Sequence, residues 1–158
     1  MLALPAFYGG HPRRRGVIAA AQARIDVAFN KRCSAQSLPV SLFFPFLLTK
    51  QGRRCFVEVK SSMVATNATA QFPDSRSERA CAHLTELTTI ASRGDRAVII
   101  FLVQRSDVGA LRINRAFDPN FTAAYDLARK SGMETMAVKH SVSKRGFGPP
   151  VLIPVLEG

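Results

Sequence analysis

The chain has 158 residues, enough for one domain with a proper core and too few for two full ones. It is 47% hydrophobic and 21% charged, which excludes a disordered composition. The formal net charge of +11 is uneven: residues 1–60 hold ten Lys or Arg against two acids, whereas residues 61–158 hold twelve against nine. Such a field favours a polyanion, nucleic acid first, while solubility or attraction to an anionic membrane surface are the alternatives.

Residues 1–16 contain Pro5, Gly9-Gly10, Pro12 and the run Arg13-Arg14-Arg15, the pattern of an irregular basic lead-in. The three arginines are candidate phosphate contacts, or a solvated arm. Ile25, Val27 and Phe29 alternate with Arg24, Asp26 and Ala28, which predicts a strand over Arg24–Phe29. Asp26 then sits mid-strand, where aspartate is disfavoured, and such broken local rules gather at functional sites.

Residues 30–51 include LPVSLFFPFLL, an apolar run interrupted by Pro39 and Pro45. Both prolines argue against a regular helix or a central strand, so the segment is expected to be a covered insertion or a self-association patch. Arg53–Ser61 follows as a strand whose apolar residues are β-branched or aromatic. Alternation puts Glu58 and Lys60 on one face and Val57 and Val59 on the other. Either the pair is chemical, or it is a solvated pair on a half-exposed edge strand.

Ser75 and Glu78 have capping-box spacing before a helix expected over Arg76–Arg93, with Gly94 as its stop. Ala80, Leu84, Leu87 and Ala91 form its predicted buried stripe, and Arg79, His83 and Glu86 a polar one. Ala97–Val103 is unbroken and apolar, as in a central strand covered on both faces. Asp118 and Pro119 open a second helix running to Gly132 and expected to bury Phe121, Ala124, Leu127 and Ala128. Met133–His140 is a further strand and Val151–Val155 a short last one. The fold class is α/β, a mixed β-sheet flanked by helices.

Cys33, Cys55 and Cys81 form no CxxC and no even set, which argues against a disulfide framework or zinc knuckle and predicts a reducing, cytoplasmic setting. Met1–Gly10 lacks the charge and apolar core of a signal peptide, and no stretch has the length of a membrane-spanning helix.

Asp26, Glu58 and Lys60 together have a chemical use. Two carboxylates on adjacent strands hold Mg²⁺ or Mn²⁺ through oxygen, and a lysine beside them stabilises charge developing on phosphate. This is the Asp…Glu-x-Lys arrangement of PD-(D/E)XK nucleases. The sequence has no GxSxG and no Gly-rich phosphate loop, and its histidines stand near no nucleophile at motif spacing.

RCFVEVKS, FPDSRSERACAHLTEL, GDRAVIIFLVQRSD, FDPNFTAAYDLARKSGMETMAV and the closing LIPV follow one another as in the SfsA family, the sugar fermentation stimulation protein homologues. The chain resembles that family closely from Arg53 onward and more thinly over Arg14–Phe29. The resemblance implies a nucleic-acid-binding protein, for DNA and conceivably RNA, with a PD-(D/E)XK nuclease-like domain over 17–158 that includes the insertion at 30–51. It implies Asp26 and Glu58 as Mg²⁺ or Mn²⁺ ligands, Lys60 as the catalytic cation, and Arg24, Asp74, Arg79, His83 and Glu86 as polar residues near the site. Arg13, Arg14, Arg15, Arg53 and Arg54 are the candidate phosphate contacts. Departures from the family pattern are Gly16 in place of a glutamate, and Ala80 and Ala82 in place of a glycine and a lysine. The family's OB-like N-terminal domain has essentially no room in this chain. A catalytically silent DNA-binding or regulatory module, or a degenerate fragment, is the alternative.

Overall fold

The computed structural model describes residues 34–37, 46–144 and 146–157. The predicted strand at Arg24–Phe29, the basic lead-in and most of the 30–51 segment lie outside them. The described elements are, in order, strands β1 (Ser34–Ser37), β2 (Phe46–Lys50), β3 (Arg53–Ser62), β4 (Ala65–Thr66) and β5 (Thr69–Phe72), helix α1 (Glu78–Ser92), strands β6 (Arg96–Val103) and β7 (Ala110–Ile113), and helix α2 (Pro119–Lys130). Strands β8 (Glu134–Lys139), β9 (Val142–Ser143), β10 (Gly146–Phe147), β11 (Val151–Ile153) and β12 (Val155–Leu156) complete the set.

Six strands form the main sheet in the order β1-β2-β3-β6-β8-β11. Strands β3, β6 and β8 run parallel at its centre, β2 and β11 join them antiparallel, and β1 pairs antiparallel with β2. A mixed sheet with helices is therefore what forms. The apolar run Ala97–Val103 of β6 is buried throughout, as its unbroken hydrophobicity requires of a strand covered on both faces.

Several expectations are corrected. Pro45 does not exclude a strand; it ends just before one, and Phe46–Lys50 pairs with β3 in register Phe46↔Val57 while Phe46 and Leu48 enter the core. A two-residue turn, Gln51-Gly52 with φ of 50° and 77°, joins the two strands, and the left-handed conformation at both positions matches the twist of a hairpin. With β2 on one side and β6 on the other, β3 is an interior strand. The edge-strand alternative for Glu58 and Lys60 fails for that reason.

Helix α1 starts two residues later than expected. Ser77, not Ser75, is the cap, its hydroxyl accepting from the Ala80 amide at 3.2 Å. Ala80, Leu84 and Leu87 are buried as predicted, and Gly94 follows the helix at φ +86°. In α2, Asp118 caps the Phe121 amide at 3.0 Å and Pro119 is the first residue, as the sequence indicates. The helix ends at Lys130, short of Gly132, and its buried face is rotated. Leu127 is 57% exposed, and Tyr125 takes the buried place beside Phe121 and Ala128. Helical spacing admits either residue; the aromatic cluster of Phe72, Phe101, Phe121 and Tyr125 selects the larger ring.

A smaller sheet, β12-β7-β5-β4, has no counterpart among the expected elements. Its strands are two to four residues long; β4, β5 and β7 come from the crossovers between the long parallel strands, and β12 from the C-terminal segment. The segment expected as one last strand divides at Pro154, with β11 on the main sheet and β12 on the small one. Both helices and the small sheet bury their apolar residues on one face of the main sheet, in a core that includes Phe72, Leu84, Ile99, Phe101, Leu111, Phe121 and Tyr125. Cys55, Val57, Val98, Ile100 and Leu102 belong to a separate core on the opposite face. No described helix is long and apolar enough to cross a membrane.

Candidate active site on β3 and α1

Alternation along β3 divides its side chains cleanly. Cys55 and Val57 join the core on one face, while Phe56, Glu58, Lys60 and Ser62 point to the face covered by the helices. Glu58 stands in register with Ile99 and Lys60 with Phe101, so two charged groups are set into a row of apolar neighbours. Ser62, at the end of that row, donates to the Gln71 carbonyl at 2.9 Å and ties the main sheet to the small one.

Helix α1 brings its polar stripe down onto this face. Arg79 and His83 are one turn apart, so they share a helix face. His83 is only 3% exposed and its Nδ1 lies 2.7 Å from Glu58 Oε1. The Lys60 ammonium is 2.8 Å from the same oxygen and 3.1 Å from Nδ1. Arg79 Nε reaches His83 Nε2 at 3.4 Å. Glu58 is itself 3% exposed, and its second oxygen, Oε2, is buried with no hydrogen-bond partner among the described residues. An ionised carboxylate has room for about four acceptor interactions, so a buried carboxylate oxygen is costly to leave without a donor or a cation.

Glu86, one turn beyond His83, is half-buried. Burial pushes its carboxyl above the ordinary value, opposed by His83 and reinforced by Glu58. Asp74 is half-buried in the segment between β5 and α1. Burial also raises the Cys81 thiol, with Asp118 adding to the rise. Among the described residues, no group of three or more His, Cys, Asp and Glu side chains converges as a metal cage.

The structure does not bring every candidate together. Arg53 and Arg54 sit at the start of β3, about 20 Å along the strand from Lys60 at ~3.3 Å per residue. Both line an open hollow of 870 Å³ with Asp95, Arg96 and Glu134. Arg54 is held there by Asp95, at 2.5 Å and 3.2 Å, and Arg96 by Glu134. Asp26, Arg24, Arg13, Arg14 and Arg15 lie outside the described residues. The direct His83–Glu58 contact is not legible in the sequence, where the two are separated by 25 positions. The only signal is the polar stripe on a helix that follows the Glu-x-Lys strand.

A family model described as the sugar fermentation stimulation protein RE domain matches residues 18–146. The sugar fermentation stimulation protein homolog of Bartonella quintana is 41% identical over 96 residues, which cover 60% of this chain and 41% of that protein. The homolog of Desulforamulus reducens is 37% identical over 112 residues, covering 71% and 47%. The chain thus spans about half the length of the curated relatives it matches. Among solved structures, the SfsA of Pyrococcus furiosus in complex with Ca²⁺ superposes with a TM-score of 0.77 at 22% identity, over 92% of this chain and 65% of that one. At that identity the likeness is one of fold.

Proposed function

The chain belongs to the SfsA (sugar fermentation stimulation protein) family, and from that premise we propose that it is a divalent-metal-dependent nuclease acting on DNA with little sequence preference. The observation that carries this reading is the buried Glu58 carboxylate, with one oxygen held by Lys60 and His83 and the other without a hydrogen-bond partner among the described residues. Apolar packing has no use for such a group, whereas Mg²⁺ and Mn²⁺ take one or two carboxylates and leave their remaining positions to water and substrate phosphate. Glu58 would hold the cation through Oε2, with Asp26 as the second carboxylate. When bound, the cation supplies Lewis acidity at a phosphoryl oxygen. A Ca²⁺ complex of the Pyrococcus furiosus relative is in keeping with a divalent site.

The residues of the chain divide the rest of the work. Water adds to phosphorus, a P–O ester bond breaks, and the products are a phosphate monoester and an alcohol. Charge builds on the non-bridging oxygens as water adds. Lys60, aligned by Glu58 and shielded by the aromatic core, places an ammonium where that charge develops, and low exposure strengthens its effect. Arg79, exposed at the rim, supports phosphate attraction, as does the +11 net charge. The odd cysteine count, with no CxxC, is in keeping with a reducing, cytoplasmic setting.

The test is cleavage of plasmid and single-stranded DNA by the purified chain with Mg²⁺, Mn²⁺ or EDTA, beside Lys60→Ala. Metal-dependent cleavage that falls by on the order of a hundredfold or more in Lys60→Ala supports the reading. DNA binding without cleavage, the same in both proteins, replaces it with a silent DNA-binding module.

A further inference from the structure

The two oxygens of Glu58 are treated differently. Oε1 receives both His83 Nδ1, at 2.7 Å, and Lys60 Nζ, at 2.8 Å, whereas Oε2 receives nothing among the described residues. A carboxylate only accepts, so the His83 proton is on Nδ1. Arg79 donates its Nε–H to Nε2, so that nitrogen carries the lone pair. Arg79 and Glu58 therefore fix the tautomer and the ring plane of His83 from its two sides.

Lys60 is the less fixed partner of Oε1: its ammonium is on a flexible stem, and its three donors are shared between Oε1 and the phosphate it serves. His83 is different. It is buried, it sits within α1, and its ring has no reach to substrate to share its contact with. We infer that His83, braced by Arg79, is a positioning residue that keeps Glu58 Oε1 occupied throughout turnover and so commits Glu58 to hold its cation through Oε2 alone. This rests on the metal-dependent reading above.

One-oxygen ligation has a consequence for which cation is preferred. Mg²⁺ and Mn²⁺ need near-octahedral sites and suit single carboxylate oxygens, whereas Ca²⁺ accepts a larger, more flexible shell that readily includes both oxygens of one carboxylate. Holding Oε1 away makes the site selective for the small cations. Losing that hold releases Oε1 and favours Ca²⁺.

The experiment is Mn²⁺ binding to the whole chain, read by the resonance signal of free Mn²⁺, with Mg²⁺ and Ca²⁺ as competitors, for wild type, His83→Ala, His83→Asn and Arg79→Ala. The expected result is a loss of Mn²⁺ affinity of about tenfold or more in His83→Ala, with the Ca²⁺-to-Mg²⁺ preference moving towards Ca²⁺ by a similar factor. His83→Asn, whose amide nitrogen occupies the place of Nδ1, recovers both values. Arg79→Ala, a rim substitution that leaves the core intact, shifts both in the same direction by a smaller factor. Unchanged affinity and preference in a folded His83→Ala overturn the inference while leaving the metal-dependent reading standing. If His83→Ala fails to fold, Arg79→Ala and His83→Asn decide: the Arg79→Ala shift with recovery in His83→Asn supports the inference, and no shift overturns it. Wild type that binds no Mn²⁺ overturns the metal-dependent reading itself.

Discussion

Two clusters of charged and polar side chains join the helices to the rest of the molecule, and they are built on opposite terms. On β3 and α1, buried Glu58 and His83 and half-buried Lys60 crowd a single carboxylate oxygen, and the other oxygen has no hydrogen-bond partner among the described residues. On α2 and the C-terminal segment, Arg115 makes a two-pronged contact with Asp126 at 2.8 Å and 3.1 Å and donates to the Glu157 carbonyl at 2.9 Å. There the Tyr125 hydroxyl bonds Thr135 at 3.0 Å and Glu157 at 3.2 Å. The second cluster is half in water and its groups are matched, which is how a fold fastens a terminal strand. The first keeps charge in a low-dielectric place with an unmet acceptor, a costly arrangement that stability alone does not favour. Substitutions in the first should therefore strike activity, and those in the second should strike stability.

Glu58→Gln gives the largest effect. The amide keeps an oxygen for Lys60 and His83 but removes the charge, and cleavage should fall by on the order of a thousandfold. Lys60 keeps its charge but loses its carboxylate partner, so unfolding free energy should fall by about 1–3 kcal/mol, moderated because the ammonium side chain is 15% exposed. Urea unfolding beside a cleavage assay measures both, and a large stability loss with cleavage intact would make this cluster structural too.

Tyr125→Phe should do the reverse. Losing two hydroxyl hydrogen bonds costs about 1–2 kcal/mol, or roughly 3–6 °C in melting temperature, with cleavage unchanged. It also has a pH signature. Burial raises the Tyr125 hydroxyl from 10.0 to about 12, so the fold binds its proton more tightly than the unfolded chain does. The resulting stability is complete below pH 10 and drains away as pH rises through about 12. Melting curves across that range should show a wild-type decline that Tyr125→Phe lacks.

The smallest effect belongs to Asp126→Asn, an exposed pair worth about 0.5 kcal/mol and weakened further by salt. Arg115 holds the Asp126 carboxyl below its ordinary 3.8, so the contribution is present above that pH and disappears as pH falls through the lowered value. The melting difference between wild type and variant should close on acidification and in high salt. A difference that persists under both would mean that the pair acts through packing rather than charge.

Much of this contrast is visible along the chain, and the visible part is local. The period of two in Arg53–Ser61 fixes Glu58 and Lys60 on one face, and the unbroken run Ala97–Val103 announces a central strand. Asp118-Pro119 announces the start of α2, because a cap acts on amides within three residues. The same locality explains the misplaced cap of α1, where Ser75 and Ser77 both precede helical residues and the backbone at Ser77 chooses between them. Local pattern also fails at Leu127, since two adjacent arcs of a helix can each look apolar and the surroundings choose which faces inward.

The class of fold, the central strands, both helices and the shared face of Glu58 and Lys60 are legible from the residues alone, because each depends on spacings of two to four residues. Only the tertiary structure decided that β3 is interior, that the crossovers build a second sheet, and that His83 meets Glu58 across 25 positions. Those outcomes depend on which apolar surfaces cover one another, a property of the whole packed chain. The burial of Glu58 against His83 of helix α1 belongs to the same class.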